Sequence, residues 1–222
     1  MDPDNPVVRL CSQGMQAEAE DRAADARDLF ARAWEAASDD YEACVAAHYL
    51  ARHQPTPEQT LHWNRVCLDR ADLVGDDRVT GFYASLHLNT AKAYGDLDDP
   101  DRAREHFVLA AAHVGGVPPG PYADWLRTAV AEGLRSGGQT RQRPADELLT
   151  SLLGRFCARG DLKALGLVLP AYLTDLGTED DRVRLATALH MLHAARGLPQ
   201  DEQQVLGEVI SAVNGAGTVA AA

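Results

Sequence analysis

Histidines, cysteines and basic side chains are the groups in this 222-residue chain that could do chemistry, and few stand at spacings that chemistry requires. His190 and His193, three apart, share one helical face and could reach one metal ion. No third ligand is spaced to complete the set, and Leu189, Met191 and Leu192 flank the pair with apolar surface. Such pairs are more often packing or surface histidines, and His106 and His113, two turns apart, read the same way. Cys11, Cys44, Cys67 and Cys157 form no CxxC pair and sit in apolar helical contexts, where a thiol behaves as a small hydrophobe. No metal or cofactor is expected, and a reducing cytoplasm fits the free thiols. The chain has no GxGxxG turn, phosphate loop, GxSxG elbow or HExxH helix. Ser–His–Asp and Cys–His pairings assemble only in space, so spacing does not decide them. His48 or His87 is the acid–base group that an enzymatic role would use.

The elements that must position these side chains are helices. Apolar residues make up 45% of the chain and recur at helical spacing, with Ala, Leu and Arg prominent, all strong helix formers. No segment combines period-two alternation with strand-like composition. Breaks fall at short intervals and carry helix-end chemistry: Ser38-Asp39-Asp40, Pro55-Thr56-Pro57-Glu58, Gly75-Asp76-Asp77 and Asp98-Asp99-Pro100-Asp101. Gly115-Gly116-Val117-Pro118-Pro119-Gly120-Pro121 is the strongest breaker, and Ser136 to Pro144 reads as a polar connection. Between the breaks about eleven helices are expected, over 7–19, 22–37, 40–53, 57–74, 77–95, 100–114, 120–136, 145–158, 161–176, 179–196 and 200–213. The fold class is all-α.

Charge and hydropathy narrow the function. A net charge of −12, with no dense Lys/Arg cluster, offers phosphate backbones little, so no nucleic-acid partner is expected. The acidic start, Met1-Asp2-Pro3-Asp4-Asn5-Pro6, lacks the apolar run of a signal peptide. Nowhere do about 18 apolar residues run uninterrupted, so no membrane span is expected.

The helices also repeat. Leu10, Gly14, Ala26, Phe30 and Ala33 alternate large and small residues across two helices, and His87, Ala91, Tyr94, Ala103, Phe107 and Ala110 do so again. Between them Ala47 and Trp63 take small and aromatic positions, with Gln59 where a small residue belongs. A looser copy is Leu148, Leu152, Ala164, Val168 and Ala171, with Pro170 disturbing its second helix. Small residues let antiparallel helices approach closely while a large one fills the hollow one turn away. This pattern resembles the tetratricopeptide repeat, whose unit is about 34 residues long, and the stretches His48 to Gln54 and Ser85 to Asn89 look like small actinobacterial proteins of that family. The resemblance implies a right-handed α-solenoid of antiparallel hairpins: repeats over residues 1–138, degenerate hairpins continuing the stack over 139–214, and a disordered tail at 215–222.

In that family the first helix of each hairpin lines a concave groove for peptide. Carried over by position, the groove takes Val8, Cys11, Met15 and Glu18, then Tyr41, Cys44, His48 and Arg52, then Ser85, Leu88, Asn89 and Lys92. The binding residues expected are Tyr41, His48, Arg52, Ser85, Asn89 and Lys92. Arg52 and Lys92 together could hold a carboxylate or phosphate. The further Lys and Asn of the family's carboxylate clamp are missing, which argues against recognition of chaperone tails. The function implied is a cytoplasmic protein- or peptide-binding module without a chemical step. The alternatives are a regulator sensing a peptide or small acidic ligand, and a helical enzyme or enzyme subunit of a biosynthetic pathway. Exposed ends of an open stack leave room for self-association.

Overall fold

Side-chain caps set where the helices begin. A computed structural model describes residues 4–136 and 144–215, and among them are twelve α-helices and no strand. Contact density divides the chain into two units, Met1–Leu126 and Arg127–Ala222. The change of character expected at 138/139 and residues 216–222 of the expected tail lie outside the described residues, while Gly215, expected to open that tail, ends the last helix.

In the first unit, α1 (Pro6–Ala19), α2 (Ala23–Ala36), α3 (Asp40–Ala51), α4 (Pro57–Val74), α5 (Asp77–Thr80), α6 (Tyr83–Asp96) and α7 (Pro100–His113) are followed by a 3-10 turn, Val114–Gly116, and the start of α8 (Pro121–Ser136). Asn5 accepts from the amides of Val7 and Val8, Asp39 from Glu42, Thr56 from Gln59, Asp76 from Arg78 and Asp99 from Arg102. Each cap satisfies an amide that the first helical turn leaves unpaired. Packing runs mainly between chain neighbours: α1 on α2, α3 on α4 and α6 on α7, joined by α2 on α3 and α4 on α6.

The small and aromatic positions of the repeat meet inside these pairs. Ala26, Phe30 and Ala33 are fully buried, and Gly14 on α1 faces the Phe30 ring so closely that a Cβ there would lie 2.3 Å from Phe30 Cε1. Phe30 in turn stacks on Tyr49 at 5.1 Å and on His53 at 5.4 Å, fixing α2 against α3. Trp34 meets Trp63 edge-on at 5.0 Å. Ala91, Ala103 and Ala110 are buried in the α6–α7 pair, while Phe107 is only half-buried.

One expected helix proves to be two. The segment 77–95 breaks at Gly81 and Phe82, where the Phe82 amide reaches back only three residues to the Val79 carbonyl. The break lies where this segment meets the 3-10 turn: a Cβ on Gly116 would stand 3.2 Å from the Thr80 carbonyl oxygen, a tight contact that glycine avoids.

The second unit holds the remainder of α8 with α9 (Pro144–Ala158), α10 (Leu162–Leu173), α11 (Glu179–Ala195) and α12 (Gln200–Gly215). Leu149, Leu152, Phe156, Val168, Leu189 and Leu206 form its apolar core. α10 ends at Leu173, three residues before the expected 176. Pro170 lies within its last turn, and the Leu176 amide beyond it donates to the buried carboxylate of Asp181 at 3.0 Å.

Candidate functional site

The first unit encloses a cavity of about 640 Å³, within the range of roughly 300–1,000 Å³ that small ligands occupy. α3 contributes Val45, His48 and Tyr49 to its wall; α5 and the break after it contribute Asp77, Arg78, Thr80, Gly81 and Phe82. Ser85 and Leu86 come from α6, Gly116 to Pro118 from the turn after α7, and Tyr122 from the first turn of α8. Most of this lining is apolar or aromatic, with a few polar groups converging on it.

His48 is the unusual member. Its Nδ1 is sealed from solvent with no hydrogen-bond partner, and among the described residues no group bonds Nε2 either. Burial, and then the nearby charge of Arg52, drive its pKa down to about 4 against the opposing pull of Glu18, so the ring is neutral at pH 7. A buried N–H without an acceptor is costlier than a bare ring nitrogen, so the proton belongs on Nε2, leaving Nδ1 empty. Ser85 spends its hydroxyl proton on the Phe82 carbonyl at 2.8 Å. Arg78 is held by Asp76, Nε to Oδ1 at 3.0 Å and Nη2 to Oδ2 at 2.8 Å, while its guanidinium lies 5.0 Å over the Tyr41 ring.

Of the residues expected to bind, His48 and Ser85 line the cavity together. Tyr41 stands behind it, stacked on Phe82 at 6.1 Å. Arg52, Asn89 and Lys92 are not part of the wall. Arg52 forms an ion pair with Glu18, which also takes His53 Nε2 at 2.6 Å; those two hydrogen bonds outweigh burial and lower the Glu18 pKa. Lys92 lies 5.5 Å over the Trp125 ring, and the Asn89 backbone carbonyl accepts from Asn64 Nδ2 at 3.3 Å. Among the wider groove positions, Cys11, Cys44 and Leu88 are buried in the helix packing and out of a ligand's reach. Sequence reasoning missed Arg78, Phe82, Val117, Pro118 and Tyr122. Their signal was present as two breaks, at Asp76 and at Gly115 to Pro121, which form cavity wall as well as punctuation.

No family model, curated protein or solved structure matches the chain.

Two other clusters of reactive side chains lie in the same unit. His87 Nδ1 stands 3.1 Å from His106 Nδ1, and His87 stacks on His113, which stacks on Tyr83. Burial, then the two neighbouring imidazoles, hold His87 near pKa 4, far from the value near 7 that suits a general base at neutral pH. Cys44 and Cys67, distant in sequence, bring their sulfurs to 3.6 Å, and the Cys67 thiol donates to the Cys44 carbonyl. Contact with Cys44 and burial keep the Cys67 thiol well above its ordinary pKa, a poor nucleophile. His190 lies 3.4 Å from Asn214 Nδ2, and among the described residues no three His, Cys, Asp or Glu side chains converge as a metal site would need. No described helix is long and apolar enough to cross a membrane.

Proposed function

We propose that the first unit is a tetratricopeptide-like stack of helical hairpins that receives a peptide segment of a partner protein in this cavity, without a chemical step. One observation carries the reading: the first helices of the second and third hairpins, α3 and α6, open onto the same cavity, joined there by the start of α8. Two of the residues that the resemblance assigns to peptide, His48 and Ser85, stand in its wall. The buried small–aromatic interlock of Gly14, Ala26 and Phe30 supports the same hairpin geometry. Free thiols at Cys11, Cys44 and Cys67 suit the reducing cytoplasm in which we place the protein.

Selection from a random dodecapeptide library tests it, with wild type and a Val45→Trp variant that fills the cavity. Peptides retained by wild type and lost by the variant are the expected outcome. Peptides held equally by both would place binding elsewhere and remove the cavity from the function.

A further inference from the structure

The cavity wall also specifies what fits, and this step rests on the peptide-binding reading above. The cations around it are already paired. Arg78 is held in two hydrogen bonds by Asp76, and Arg52, one turn beyond His48, is neutralised by Glu18. Asp77, exposed at the first turn of α5, has no ion-pair partner among the described residues. A carboxylate entering here would find no free cation and would meet Asp77. An ammonium would be drawn to exposed Asp77 and repelled by the adjacent Arg78 guanidinium, and would have to shed its water to pass beyond them to the rings and the neutral imidazole. Both charged anchors are disfavoured by desolvation.

Three rings remain: Tyr49, Phe82 and Tyr122. The first two are half-buried, whereas Tyr122 is 54% exposed, a large aromatic standing open at a cavity edge. Beside them stands the His48 ring, whose Nδ1 is buried without a partner among the described residues. With Nδ1 sealed, Nε2–H is the donor that a guest can use. A ring alone does not fill about 640 Å³, so flanking backbone enters with it and brings peptide carbonyls to His48. We infer that the anchor of the bound segment is an uncharged aromatic side chain, packed among Tyr49, Phe82 and Tyr122, with an adjoining carbonyl oxygen accepting from His48 Nε2–H. Offset and edge-on ring contacts supply the preference over aliphatic side chains. His48 makes that preference specific to peptide, because it reads backbone and not the ring.

The test titrates the nitrogen-15-labelled full chain with terminally blocked pentapeptides Gly-Gly-X-Gly-Gly, X being Phe, Tyr, Trp, Leu, Glu or Lys, and with free indole. The aromatic peptides should shift the amides of residues 45–49 and 81–86 and bind at least about tenfold tighter than the Leu, Glu and Lys peptides. His48→Leu, which keeps apolar bulk and removes the donor, should weaken the aromatic peptides by about three- to tenfold, the value of one net hydrogen bond. Tyr122→Ala, at an exposed position whose ring stacks on the equally exposed Trp125, should weaken them too with an unchanged circular dichroism spectrum. Equal binding by the Glu, Lys or Leu peptide, or no response to His48→Leu, would overturn the inference and leave peptide binding standing. Indole binding as tightly as the Trp peptide would overturn the peptide source of the ring. If no peptide moves the cavity amides, the peptide-binding reading falls as well.

Discussion

The two units solve the same packing problem with different materials. In the first, helices close on one another through small residues and rings: Gly14 under Phe30, Phe30 on Tyr49 and His53, Trp34 against Trp63. Rings are bulky and flat, so such packing leaves gaps, and the cavity beside His48 is one of them. In the second unit the core is leucine-rich, and buried charges tie it together. Asp181, 1% exposed, accepts from the Leu176 amide at 3.0 Å and the Thr178 hydroxyl at 2.7 Å, and pairs with Arg127 and Arg184. Glu202, 5% exposed, is bound by Arg159. Among the described residues each unit leaves one buried polar atom without a partner, His48 Nδ1 in the first and Gln203 Oε1 in the second, but only His48 belongs to a cavity wall, and the second unit spends its buried carboxylates on structure. That cavity wall is why we propose the first unit, and not the second, as the place where a guest belongs.

The contrast breaks most sharply at Asp181. Asp181→Ala leaves Arg127 facing a buried gap and removes the Asp181 half of the capping box that opens α11, so a loss of about 3–5 kcal/mol is expected. Hydrogen exchange should place that loss in α10 and α11, with the protection of α3 and α6 unchanged. A loss spread evenly over both units would show that the carboxylate is not a local tie.

Acid should separate the units next. His48 has a pKa near 4 in the folded chain against an ordinary 6.5, so the unfolded chain binds the extra proton first. Stability of the first unit therefore falls as pH drops from 6.5 to 4, by on the order of 3 kcal/mol from this group, with His87 adding in the same direction. Burial raises the Asp181 pKa, but hydrogen bonds from Thr178, Leu176, Arg184 and Arg127 bring it down to about 2 from an ordinary 3.8. Its contribution is present above 3.8 and is lost only as pH falls from there to 2. Exchange measured between pH 7 and 4 should show α3 loosening while α11 holds. Simultaneous loss would mean that His48 is not buried neutral.

Gly14→Ala tests the interlock. Gly to Ala inside a helix ordinarily stabilises by about 0.5–1 kcal/mol. Here the sign should reverse, to a loss of about 1–3 kcal/mol, because Phe30 is pinned between Tyr49 and His53 and cannot swing away. A rise in Tm would show that the ring has room to move.

Much of this fold was legible in the sequence, because local chemistry sets it. Asp39, Thr56, Asp76 and Asp99 stand in the breaks read from the sequence, and each caps a helix. The spacing of Gly14, Ala26, Phe30 and Ala33 indicated small against large, and those residues meet. The cavity was legible only in part. His48 and Ser85 follow from helical position, but Tyr122 and Val117 reach the wall through how the turn after α7 lies against Thr80 and Gly81, which no spacing encodes. Arg127 and Asp181 likewise meet across 54 positions. Nor does spacing say which basic side chains are already taken: Arg52 looks free until Glu18 comes beside it.

That last point gives the smallest effect. Arg52→Gln removes a cation whose side chain is 43% exposed and whose partner Glu18 keeps His53. Surface pairs of this kind contribute about 0–1 kcal/mol, so the stability change should stay within that range, against several kcal/mol for Asp181→Ala. Because Arg52 is no part of the cavity wall, binding of the Phe, Tyr and Trp pentapeptides should also stay within about twofold of wild type. Both outcomes follow from one cause, that charge in the first unit decorates its surface and does not build it. If Arg52→Gln instead abolished binding, the ligand would be reading charge at the edge of α3, and an aromatic anchor on His48 would be the wrong guest.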